Sequence, residues 1–167
     1  MESGFAAVTL AAVSAVLIHE AGHIVAASLF GVKPEKPRAV FGGLSMRLAG
    51  STSYPRGIII LAGGAIFNVL FALFPAGALF RACSLGAAVY NLLPLPYTDG
   101  EGILYSLLAW RLDAPDTAYR ITRAVSGVSL AIFFVFAIYV NAVGIGGGTA
   151  LLLSLIFLLM RRTSEQF

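Results

Sequence analysis

The sequence predicts an all-α polytopic membrane protein with about five to six membrane segments, a three-helix core and a small amphipathic β-hairpin at the cytoplasmic face. Three observations carry this. The chain has 167 residues, of which 59% are hydrophobic and 11% charged, against about 25% charged in ordinary soluble domains. The apolar residues fall into runs long enough to enter a bilayer, where a full span takes about 20 residues. The basic residues fall between those runs with a strong asymmetry, as orientation in a membrane requires.

The runs are 5–29, 57–80, 82–96, 120–143 and 145–160. The first lacks the basic leader of a signal peptide, since Met1-Glu2-Ser3-Gly4 carries no Lys or Arg, and it outruns an apolar h-region. It is therefore expected to stay as a span. The third is short and interrupted at Pro94 and Pro96, whose freed backbone groups need protein or water around them rather than lipid. A single domain covers 1–167, with the core at about 5–112 and further spans at about 115–162.

Lys33, Lys36, Arg38, Arg47 and Arg56 lie in the loop 30–56; Arg111, Arg120 and Arg123 lie in 97–123; Arg161 and Arg162 lie in the tail. With the N-terminus outside and the C-terminus cytoplasmic, Arg81 alone faces outward. The asymmetry accounts for the net charge of +3, so no nucleic-acid partner is assigned. Cys83 is the only cysteine, which excludes a disulfide framework and a cysteine-based metal site.

Within 30–56, two short runs flank Gly42-Gly43, a hairpin signal, with Leu44, Met46 and Leu48 on one face and Ser45 and Arg47 on the other. Ser53-Tyr54-Pro55 has the grammar of a helix start, and Asp113-Ala114-Pro115 repeats it before the fourth run.

The chemistry lies in the first run. His19 and His23, the only histidines, sit with Glu20 in an otherwise apolar stretch. An ionisable side chain at bilayer depth costs at least about 2.5–3.5 kcal/mol, so such a cluster points to function. The pattern is H-E-x-x-H: residues i and i+4 share a helical face and can direct both imidazoles at one zinc ion, with Glu20 placed as general base. The competing reading is a chance match, each histidine bonded to a backbone carbonyl in a core. Three such groups in lipid weigh against it.

A catalytic zinc usually has three protein ligands and an open position. With no third histidine, the third ligand is expected to be a carboxylate. Glu2, Glu35, Asp113, Asp116 and Glu165 lie at the wrong end, in the basic loop, at helix starts or in the tail, which leaves Asp99 and Glu101. Asp99 is preferred, because Gly100 after it permits a local break in the helix that aims a short carboxylate.

Three motifs resemble those of the site-2 protease family of zinc intramembrane metalloproteases: His19-Glu20-Ala21-Gly22-His23; Ala62-Gly63-Gly64-Ala65-Ile66-Phe67-Asn68; and Asn91-Leu92-Leu93-Pro94 with Thr98-Asp99-Gly100. The resemblance implies one zinc per chain on His19, His23 and Asp99, Glu20 as catalytic base, and Asn91 or Asn68 steadying substrate or oxyanion. It also implies a bacterial cell membrane, a membrane-spanning or membrane-associated protein substrate, and regulatory membrane partners. The outline, without a PDZ or CBS domain, is that of the minimal sporulation-type members, stage IV sporulation protein FB and its relatives. Thr98 replaces the family's usual Leu, Glu101 a second glycine, and Gly64 a frequent proline. The alternative class is a non-catalytic zinc-binding adaptor or metal-transport component, which would need the ligands but not Glu20.

Overall fold

The computed structural model describes residues 2–32, 38–40, 43–45, 53–75 and 77–144. Among the described residues there are five helices: α1 (Glu2–Leu29), α2 (Tyr54–Ala72), α3 (Ala78–Leu92), α4 (Asp99–Leu112) and α5 (Pro115–Ala142). Between α1 and α2, the three-residue strands β1 (Arg38–Val40) and β2 (Gly43–Ser45) pair antiparallel, with Arg38 opposite Ser45 and Val40 opposite Gly43. The fifth apolar run, 145–160, lies outside the described residues.

Among the described residues three helices are long and apolar enough to cross a membrane: Gly4–Leu29 within α1, α2 and α5. Their outer faces are apolar, with Phe5, Leu10 and Leu17 on α1 and Val128, Ile132, Val135 and Phe136 on α5 all exposed. Such faces are suited to lipid. The inward face of α1 instead carries small residues and the two histidines: Ala11, Ala15, His19, Gly22, His23, Ala26 and Ala27 are buried. Small side chains let helices approach closely where lipid removes the hydrophobic drive to pack.

Two boundaries differ from the expected ones. The run 57–80 is not one helix: α2 stops at Ala72, and Pro75 and Gly77 separate it from α3. Pro75 has no N–H to continue the ladder, so the chain turns. The third run likewise ends as a helix at Leu92, before Pro94; at 15 residues α3 is shorter than an unaided span of about 20. Next comes a helix the apolar pattern left unassigned, α4, at 14 residues also shorter than a span. Its start bears the usual signals: Thr98 as N-cap, with Asp99 and Glu101 in the first turn and Arg111 in the last, as the helix dipole favours.

The helix ends are built from the sequence. At the end of α1, Gly31 (φ 65°) reverses the chain while Val32 N–H bonds Ala27 C=O and Gly31 N–H bonds Ser28 C=O, the paired bonds of a Schellman stop. Ser53 caps α2 with Pro55 in the first turn, as its grammar predicts. Asp113 does not start α5 as expected. It closes α4 in the left-handed conformation (φ 49°), and Ala114 precedes Pro115 at the start of α5.

Helix α1 packs on α2 and α3, α2 also on α3 and α4, and α4 on α5. The α1–α2 crossing is a backbone contact. A Cβ added to Gly63 would lie 2.7 Å from Gly22 O and 2.8 Å from the Ala26 Cβ, and one on Gly22 would run into Gly63 and Gly64. Gly63→Ala is therefore expected to lower the thermal unfolding midpoint in detergent, at an overpacking cost of about 1–3 kcal/mol. Gly86→Ala, where an added Cβ meets nothing within 4 Å, should leave or raise the midpoint, since alanine favours a helix over glycine by about 1 kcal/mol. Equal midpoints for the two variants would refute this account of the crossing.

Candidate metal centre

The tight crossing decides where the histidines sit. Gly64, next to the contact point, lies directly under both rings: a Cβ there would come within 2.6 Å of His19 Cε1 and of His23 Nε2. Only a bare backbone at this position lets α2 serve as the floor of the imidazole pair.

His23 is oriented from behind. Its Nδ1 lies 2.8 Å from the Ile60 carbonyl oxygen of α2. A carbonyl only accepts, so Nδ1 carries a proton, and Nε2 is the nitrogen turned towards His19 and Asp99. The carbonyl contact expected of an ordinary core histidine is thus present, and it frees the other nitrogen rather than satisfying both.

His19 Nε2 is 3.1 Å from His23 Nε2. On its far side, His19 Nδ1 is 3.3 Å from the Asn68 amide nitrogen. Asn68 is fully buried, and Ser84 Oγ of α3 lies 3.1 Å from its main-chain oxygen and 3.2 Å from its Oδ1.

Asp99 arrives from α4. Its Oδ2 is 2.9 Å from His19 Nε2 and 3.2 Å from His23 Nε2, yet this buried oxygen accepts no hydrogen bond. The reason expected for its placement, a helix break at Gly100, is not the one observed. Asp99 and Gly100 are the first residues of α4, and Gly100 is needed because an added Cβ would run into the Leu92 and Leu93 carbonyls at the end of α3.

The bend is made one step earlier. Tyr97 is held at φ 68°, and its N–H donates to Glu101 Oε2 at 2.9 Å. The Thr98 hydroxyl lies 2.6 Å from Leu93 O and 2.8 Å from Leu95 O, while Leu95 and Pro96 are fully buried. Thr98 and Glu101 therefore knot the turn that delivers Asp99. Glu101 is not part of the three-ligand group.

His19, His23 and Asp99 form a group that could hold a metal ion. The fit can be tested on the donor triangle. Its edges are 2.9, 3.1 and 3.2 Å, close to the edge of about 3.3 Å that tetrahedral coordination with bonds of about 2.0 Å requires. A buried carboxylate oxygen without a hydrogen-bond partner is also what a cation would relieve.

Glu20 follows His19 on α1, is half-buried, and interacts electrostatically with His23, His19 and Asp99. The Asn91 amide nitrogen donates to Ala87 O of its own helix at 3.0 Å. Sequence reasoning missed Ser84, a hydroxyl in an apolar helix with no motif around it. No protein-family model matches the chain, and no curated protein matches it.

Proposed function

We propose that the protein is a zinc-dependent intramembrane endopeptidase that hydrolyses a peptide bond of a membrane-embedded or membrane-associated protein, a regulatory precursor. The observation that carries this reading is the meeting of His23 Nε2, His19 Nε2 and the buried Asp99 Oδ2 within 3.2 Å of one another, beside a glutamate on the helix that carries the histidines. Electron-rich groups held that close need a positive centre, and the adjacent carboxylate supplies what a purely structural or transported ion would not use.

His19, His23 and Asp99 would hold one ion per chain. Bound there, zinc supplies Lewis acidity that polarises a carbonyl and makes water acidic near neutral pH. Glu20 accepts the proton of the attacking water and returns it to the leaving amine. Asn91, half-buried at the end of α3, is the group left to steady the substrate or the oxyanion once its amide leaves Ala87.

The basic asymmetry supports a cytoplasmic C-terminus and a site in the cytoplasmic half of a bacterial membrane, with the hairpin lying amphipathically on that face. Regulatory membrane partners restrain the activity. The test is elemental zinc in detergent, with mass-spectrometric detection of new termini in a panel of single-span model peptides. The expected result is about one zinc per chain and cleavage that a chelator abolishes and zinc restores. A well-folded protein that holds no zinc overturns the reading.

A further inference from the structure

The turn that delivers Asp99 contains a residue its backbone does not ask for. Thr98 N–H bonds Leu95 C=O at 3.3 Å, closing a four-residue turn over Leu95-Pro96-Tyr97-Thr98. Proline at the second position and a positive φ at the third are the marks of a type II turn, whose third position favours glycine because a Cβ is crowded there. This chain places a tyrosine at that position, at φ 68°. The other positive-φ residues among those described are Gly31, Gly144 and Asp113, residue types that this region tolerates. Tyr97 is the one bulky exception.

The exception is held rather than relieved. Tyr97 N–H donates to Glu101 Oε2 at 2.9 Å, and the Thr98 hydroxyl ties back to Leu93 O and Leu95 O. The first bond uses only the main chain of Tyr97, which glycine offers equally, and the other two do not involve it. Neither the turn nor these ties therefore need a phenol ring. What tyrosine alone supplies is its side chain, and the residue is displayed: Tyr97 is 51% exposed, while Leu95, Pro96, Thr98 and Gly100 around it are buried.

Its position gives the display a use. Tyr97 stands two residues before Asp99, so the two Cα atoms lie within about 7 Å of each other. Leu92 and Leu93, at the end of α3, are exposed on the same junction, which makes its surface apolar. A polypeptide whose carbonyl reaches the donor triangle runs its neighbouring side chains past this junction. Backbone strain retained beside such a site is a sign that the strained residue is used.

We infer that Tyr97 is a specificity-determining residue, whose ring is the apolar wall against which the substrate polypeptide lays a large side chain flanking the scissile bond. The inference rests on the endopeptidase reading. A glycine turn would deliver Asp99 equally well and leave the wall out. The competing use of an exposed tyrosine, an aromatic anchor at the membrane–water interface, is indifferent to which peptide is cleaved.

The experiment compares wild type, Tyr97→Gly, Tyr97→Ala and Tyr97→Phe, each as the full chain loaded with zinc in detergent. The probe is a library of synthetic single-span peptides in which the residues flanking a central helix-breaking glycine pair are varied from alanine to leucine and phenylalanine. Mass spectrometry reads the cut sites and initial rates; elemental analysis and thermal unfolding are read alongside. Tyr97→Gly should hold about one zinc per chain and unfold at or above the wild-type midpoint, with Tyr97→Ala below Tyr97→Gly because it keeps the crowded Cβ. Both should lose at least about 10-fold in kcat/KM on peptides with leucine or phenylalanine beside the cut, the low end of what one apolar contact contributes to discrimination. Alanine-flanked peptides should be cut as before, and Tyr97→Phe should keep the wild-type profile. Unchanged profiles for the glycine and alanine variants overturn the inference and leave the endopeptidase reading standing. Loss of zinc by Tyr97→Gly also overturns it, since the ring would then be holding the turn. A wild type that holds no zinc, or cuts none of the peptides, overturns the endopeptidase reading and the inference together.

Discussion

Asp99→Ala purified in detergent is expected to carry no zinc where the wild type carries about one per chain, and to cleave nothing above background. The size of the effect follows from the donor triangle. Two of its three edges end on Asp99 Oδ2, and without that oxygen the histidines offer a two-point contact. Loss of a group that merely supports a ligand costs about 10–100-fold in affinity, so loss of a ligand exceeds that range. The fold should survive, because the turn before Asp99 is tied by Thr98 and Glu101 and not by Asp99 itself. Elemental analysis with circular dichroism checks both parts. A variant that keeps its zinc would remove Asp99 from the ligand set, and with it the joining of α1 to α4 through the metal.

Glu20→Gln separates an enzyme from a zinc-binding adaptor. Glutamine keeps the shape of the side chain but cannot take a proton from water. Zinc content should stay at the wild-type level, because Glu20 lies outside the three-ligand group. Cleavage should fall by about 10²–10⁴-fold, the usual contribution of a positioned general base. Initial rates of appearance of new peptide termini, normalised to bound zinc, measure this. Rates at background for both would assign the chain to the non-catalytic class, and equal rates above background would remove Glu20 as the base.

The group that could hold a metal ion was legible in the sequence because most of its logic is local. H-E-x-x-H fixes two imidazoles on one helical face without any tertiary information, and elimination among eight acidic residues leaves Asp99 and Glu101. The floor beneath the imidazoles was not legible. That Gly63 touches Gly22, and that Gly64 lies under both rings, follows from how two largely apolar helices cross, which is a tertiary relation that local spacing does not encode. Helix α4 was hidden for a different reason: a span-length criterion passes over a 14-residue helix, although Thr98, Asp99 and Glu101 mark its start. Glu101 could be weighed in the sequence as a second carboxylate near the metal; only the left-handed Tyr97, two residues before Asp99, reveals that it ties a turn. Ser84 had no signal, since its partner Asn68 is on another helix.

The three candidate ligands come from distant stretches of the chain, two from α1 and one from the start of α4. During synthesis, a nascent chain that has made α1, α2 and α3 holds His19, His23, Gly64, Asn68 and Ser84 but only two members of that group. The group is complete only when Asp99 docks beneath the end of α3, so under the proposed function hydrolysis would wait on finished assembly, and half-made copies would be spared from cleaving their surroundings.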